Sequence, residues 1–137
     1  MISTSRLLEI INDDKQLSLD QLMKLVPEID FVSYLETLLL QKGMSKSALI
    51  KATNLQRSYA YQIFNGQKKP SRKKVIQIAL ALELEINEAN NLLSLSDNGY
   101  LYPKVKYDAI ILFALKHHYS IIDTNFILDM YNLPILE

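Results

Sequence analysis

Arg57, Ser58, Tyr61, Gln62 and Asn65 fall at offsets of one, four, five and eight residues, so a helix would carry all five on one face. Their common chemistry is hydrogen bonding to flat polar edges and to anions. A guanidinium can pair bidentately with guanine, and a glutamine amide with adenine. A serine hydroxyl reaches a base or a phosphate, and a tyrosine stacks on a sugar or donates to a phosphate. Arg57, Ser58, Tyr61 and Gln62 are therefore expected to contact bases, whereas Tyr59 is expected to pack against neighbouring helices. The surrounding charge fits such a role. Between Glu36 and Glu83 there is no acidic residue, but there are nine basic ones: Lys42, Lys46, Lys51, Arg57, Lys68, Lys69, Arg72, Lys73 and Lys74. All fifteen acids and the other six bases lie outside this segment. A chain of formal net charge zero is thus a +9 segment in a −9 surround, the footprint of a surface that meets a polyanion.

Other chemistries find no constellation. Asp13 and Asp14 are adjacent and would point apart on a helix, which makes a poor acid/base pair. His117 and His118, the only histidines, are also adjacent and are expected to complement a helix C-terminus. Gly43, Gly66 and Gly99 each fall at an expected helix end, so no glycine-rich loop cradles a phosphate. No catalytic residue, metal site or cofactor is expected. The absence of cysteine removes disulfides, thiolate zinc sites and thiol nucleophiles, and fits a reducing cytoplasm. The N-terminus lacks a long apolar core and turns acidic quickly, unlike a secretory signal. The longest apolar run, 109–115, is too short to span a bilayer, so no membrane partner is expected.

The elements that must position the basic face read as helix after helix, an all-α chain. At 137 residues and 49% hydrophobic it can build one core with extensions. Leu7, Leu8, Ile10 and Ile11 mark a first helix, ended by Asp13-Asp14. Ser18 and Gln21 have capping-box spacing and open a short helix that Pro27 closes. Phe31, Leu35, Leu38 and Leu39 give the next stripe, up to Gly43. Ser45 caps a helix to about Ala52. A helix over 57–65 stops at Gly66. Ser71 caps a helix with Val75, Ile78, Ala79 and Leu82 inward, and Asn87 caps another. The stretch 94–103 is the clearest boundary. Helices over 104–118 and 120–131 follow. The run 109–115 is apolar all round and needs cover on more than one side. It is either the central element of the C-terminal region or a contact with a second chain.

Residues 45–71 have helix-turn-helix spacing. Leu49 and Ile50 face inward, Asn54 occupies the tight turn where φ > 0 is usual, and Leu55 plugs the angle. Ala60, Ile63 and Phe64 form the inner face of the second helix. Downstream, Arg72, Lys73 and Lys74 oppose the dipole of the helix they begin. A phosphate bound there would resolve the conflict. Lys68, Lys69, Ser71, Arg72 and Lys73 on that side, with Ser45, Lys46 and Asn65, make up the expected backbone-contacting set.

From Leu49 through Asn54, Leu55, Ile63, Gly66, Pro70 and Ser71 to Ala79, Leu82 and Leu84, the chain resembles the five-helix Cro/CI-type (XRE) DNA-binding domain over residues 31–95. The longer string YAYQIFNGQKKPSRKK, followed later by YLYPKVKYDAIILFAL, is similar to small Gram-positive bacterial regulators of this kind. The resemblance implies a lambda-repressor-like fold, a recognition helix 57–65 in the major groove, Ser45 and Lys46 on the backbone, and a homodimer reading two half-sites of double-stranded DNA. Residues 1–30 and 96–137 become an N-terminal helical extension and a C-terminal two-helix extension serving core or dimerisation. Three positions depart from the pattern. Asn54 replaces glycine, Gln56 replaces a capping serine or threonine, and Phe64 replaces a polar residue and implies a more deeply buried helix. The expected function is sequence-specific transcriptional regulation, as a repressor. The alternative is a helix-turn-helix scaffold that binds a regulatory protein partner, antitoxin-like or an enzyme such as a kinase, with little or no DNA binding. The acidic flanks, residues 1–28 in particular, are also expected to fold over the basic segment and hold it off non-specific DNA.

Overall fold

A computed structural model describes residues 2–137. Its described residues form nine helices and no strand: α1 (Thr4–Asp13), α2 (Leu19–Leu25), α3 (Phe31–Lys42), α4 (Lys46–Ala52), α5 (Arg57–Phe64), α6 (Arg72–Ala81), α7 (Ile86–Leu95), α8 (Lys106–Lys116) and α9 (Ile121–Met130).

The helix starts follow local hydrogen bonding. Ser3, Ser18, Asp30, Ser45 and Ser120 each accept from the backbone N–H three residues on, which satisfies one orphan donor of the helix they open. Ser18 and Gln21 form the reciprocal box that their spacing implies. Two starts differ from expectation. Asn87 does not cap α7; the helix begins at Ile86, and the Glu88 carboxylate accepts from the Glu85 N–H at 2.9 Å. Ser71 does stand at the N-cap of α6, but its hydroxyl makes no capping bond.

The helix ends show a feature that composition hides. Gly43 and Gly66 end α3 and α5 in the left-handed region, as their type suggests. Glu83, Asp97, His118 and Asn132 do the same after α6, α7, α8 and α9, at φ between 52° and 58°. Each tight end is closed by a bond from the following residue back to the last helical turn, for example Leu84 N–H to the Ala79 carbonyl at 3.1 Å and Tyr119 N–H to the Ala114 carbonyl at 2.9 Å. Four helices thus stop on non-glycine residues held in the conformation that glycine adopts most readily.

α6 is the centre. Every residue from Val75 to Leu80 is buried, a pattern possible only for a helix covered on all sides. α4, α7, α8 and α9 supply the cover. The run 109–115, expected to be the central element of the C-terminal region or a contact with a second chain, is half enclosed. Ile111, Ala114 and Leu115 of α8 are buried, whereas Phe113 stands outward. α1 and α2 bury no residue at all. No described helix is long and apolar enough to cross a membrane.

Candidate nucleic-acid interface

α4 and α5 are joined by a turn over 53–56. Asn54 does not occupy the left-handed region, contrary to the expectation for a tight turn of this kind. The buried Thr53 makes the turn instead. Its extended backbone (φ −110°, ψ 168°) follows α4 directly. Its hydroxyl donates to the Ile50 carbonyl at 3.0 Å and accepts from the Leu55 N–H at 3.4 Å. Leu55 then plugs the corner, buried beside Leu49 and Ile63. A threonine two residues before the plug was the available signal, since its side chain can replace a backbone partner.

α5 turns Ala60, Ile63 and Phe64 into the core. Phe64 is buried, with Lys46 Nζ 5.8 Å from its ring centroid. This departure from the family pattern therefore anchors the helix and leaves the outer face open. That face carries Arg57, Ser58, Tyr61, Gln62 and Asn65, which with Gln56 line one shallow groove of about 580 Å³. None of these six side chains makes a hydrogen bond within the described chain. Arg57 lies 5.8 Å over the Tyr61 ring, which meets Phe64 edge-on at 6.1 Å, so the arginine is steered by a platform built on the core. Gln56 was expected only as a poor cap. It indeed makes no capping bond, and its amide stands free at the head of the groove.

The expected backbone set divides in two. Ser45 caps α4 through its oxygen and keeps its O–H to donate. Asn65 and Lys68 are exposed, and Lys68 and Gln67 both donate their backbone N–H to the Gln62 carbonyl, which fixes the loop after α5. Lys46 is 3.5 Å from Glu36 across an exposed gap. Lys69 pairs with Asp97. Lys73 Nζ donates to the Ile135 carbonyl at 3.0 Å, which fastens the C-terminal tail.

Arg72 departs most from expectation. Its two terminal nitrogens meet the two oxygens of Asp108 in α8, each at 2.9 Å. Nε donates to the Asn98 carbonyl at 3.1 Å, and one terminal nitrogen also donates to the Tyr100 carbonyl at 2.9 Å. The conflict between cations and dipole at the start of α6 is thus resolved at Arg72 by a carboxylate of the same chain, where a bound phosphate was anticipated. Burial alone would push the Asp108 carboxyl up, but the Arg72 hydrogen bonds, the Tyr102 N–H at 2.8 Å and the Arg72 charge outweigh it and hold it below the usual carboxylate range.

Lys42 is 3.4 Å from Glu88. Glu36 from the N-terminal side and Glu88, Asp97 and Asp108 from the C-terminal side therefore answer four of the nine bases. No acid of residues 2–30 pairs with that segment among the described residues, so an N-terminal shield is not what the structure contains. Lys51, Arg57, Lys68, Lys73 and Lys74 have no carboxylate partner among the described residues.

Residues 35–88 match the family model described as Helix-turn-helix. They are a helix-turn-helix domain of the Cro/CI (XRE) type. The match runs from the middle of α3 into α7, and so contains α4, the Thr53 turn, α5 and α6. Comparisons with curated proteins and with solved structures found no match. The Cro/CI-type domain marks the chain as a DNA-binding regulator in kind.

Proposed function

We propose that this protein is a sequence-specific transcriptional repressor that binds double-stranded DNA as a homodimer, with α5 of each protomer in the major groove. One observation carries the reading. The outer face of α5 presents an arginine, two glutamines, a serine, a tyrosine and an asparagine in one open groove, and the chain leaves their hydrogen-bonding groups unspent. Unspent donors and acceptors on a helix that is otherwise well packed are what base edges require. Arg57, Ser58, Tyr61 and Gln62 read bases, and Gln56 joins them at the N-terminal end. Ser45, Lys46, Asn65 and Lys68 hold the backbone, Lys51 and Lys74 add unpaired charge, and Arg72 serves the fold.

Fluorescence anisotropy against the DNA upstream of the protein's own gene and against a scrambled duplex, across a salt series, tests this. Preference for the upstream duplex that survives moderate salt is the expected result. Equal, weak binding to both duplexes that salt abolishes would count against an operator there.

A further inference from the structure

α8 and α9 pack against each other and turn an apolar face outward. Phe113 is 52% exposed, Ile122 77%, Phe126 69%, Met130 63% and Tyr131 65%. Ile122, Phe126 and Met130 fall at i, i+4 and i+8 and so form one stripe along α9. Beside the stripe lies an apolar groove of about 430 Å³ between the helices, floored by Ala109, Ile110 and Ile127.

We propose that a second copy of this chain covers this face, through a two-fold contact that lays α8 of each protomer over α9 of the other. The inference rests on the homodimer of the preceding section and assigns it a surface. Charge argues for a self-complementary contact. The exposed charges of α8 at its two ends are Lys106 and Lys116, and those of α9 are Asp123 and Asp129. None of the four forms an ion pair within the described chain. A two-fold axis exchanges the helices, so the basic ends of one meet the acidic ends of the other around an apolar middle. Area argues the same way. Large side chains of ~150–250 Å² that are more than half exposed offer on the order of 600 Å² from five residues, or roughly 1,200 Å² across both copies, which enters the range of stable specific interfaces.

The test is sedimentation of the full chain over a concentration series, with circular dichroism to confirm folding. The wild type should sediment as a dimer. Phe126→Asp, at a position too exposed to matter for the protomer, should be a folded monomer. D123K/D129K should weaken the dimer by about tenfold or more by setting like charges face to face. Adding K106E/K116E to that pair should restore it. A wild type that stays monomeric at every concentration, or a dimer indifferent to Phe126→Asp, would overturn the proposal. So would a quadruple variant that fails to recover. Anisotropy on the same samples separates this idea from the DNA reading. A wild type that stays monomeric yet prefers the upstream duplex refutes the dimer and leaves sequence reading standing, whereas a wild-type dimer blind to sequence refutes the operator alone.

Discussion

The guanidinium of Arg72 and the carboxylate of Asp108 meet through two bonds of 2.9 Å across 36 residues of sequence. Asp108 is almost wholly buried, and Arg72 is about a third exposed. Fork-to-fork geometry gives such a pair direction as well as strength. It ties the start of α6, inside the helix-turn-helix domain, to α8, and the spare Arg72 donors pin the carbonyls between them.

Asp108→Asn should destabilise the fold by about 2–4 kcal/mol, because it leaves a partly buried cation without its counter-charge. The folded-state pKa of Asp108 lies below its unfolded value, so its contribution is complete above the ordinary carboxylate range and is lost as pH falls through that range and below it. Urea midpoints from neutral to acid pH should fall more steeply for the wild type than for Asp108→Asn. Parallel curves would mean that the pair is not linked to folding.

Arg57→Ala and Lys68→Ala should fail differently. The first should cost about 1–3 kcal/mol on the operator and relax preference at one base position. The second should weaken all duplexes alike and flatten the log–log salt slope by about one unit per protomer, from about −7 for a dimer neutralising roughly eight phosphates. Arg72→Lys, by contrast, should change stability more than salt slope, and titrations of the three variants would show it.

Thr53→Val keeps the side-chain shape and removes both bonds of the turn. A loss of about 1–2 kcal/mol in chemical denaturation is expected, with Thr53→Ser near wild type. Asn54→Gly should bring no gain, since Asn54 has no left-handed strain to relieve. Stabilisation by Asn54→Gly would contradict the turn described.

Gln77 sits in the middle of α6, fully buried, with neither its amide nitrogen nor its oxygen hydrogen-bonded. Gln77→Leu should raise stability by about 1–2 kcal/mol by deleting two unsatisfied groups at nearly constant volume. A loss of that size would show that the amide has a buried partner.

What could be foreseen from sequence was local. Ser18 with Gln21, Ser45, and Ser120 with Asp123 announce helix starts because the bond each makes spans three residues. Ala60, Ile63 and Phe64 announce the inner face of α5 through helical period alone. The elements that escaped depend on distance or on substitution within a motif. Nothing near Arg72 in sequence points to Asp108, and a cation-rich first turn looks the same whether its partner is a phosphate or a carboxylate 36 residues away. The turn escaped because Thr53 does through its side chain what glycine does through backbone freedom. The helix ends near Asp97, His118 and Asn132 were legible, but the left-handed conformation there and at Glu83 was not, because no glycine marks it.

The six buried residues of α6 also limit what evolution or an engineer can recombine. A helix without a free side is a party wall, with the helix-turn-helix on one side and α8 and α9 on the other. A chimaera spliced after Ser96 would strip one side of that wall and lose the partner of Arg72 as well. The tolerant joint lies ahead of Asp30, where α1 and α2 bury nothing and a foreign segment could be grafted without disturbing the core.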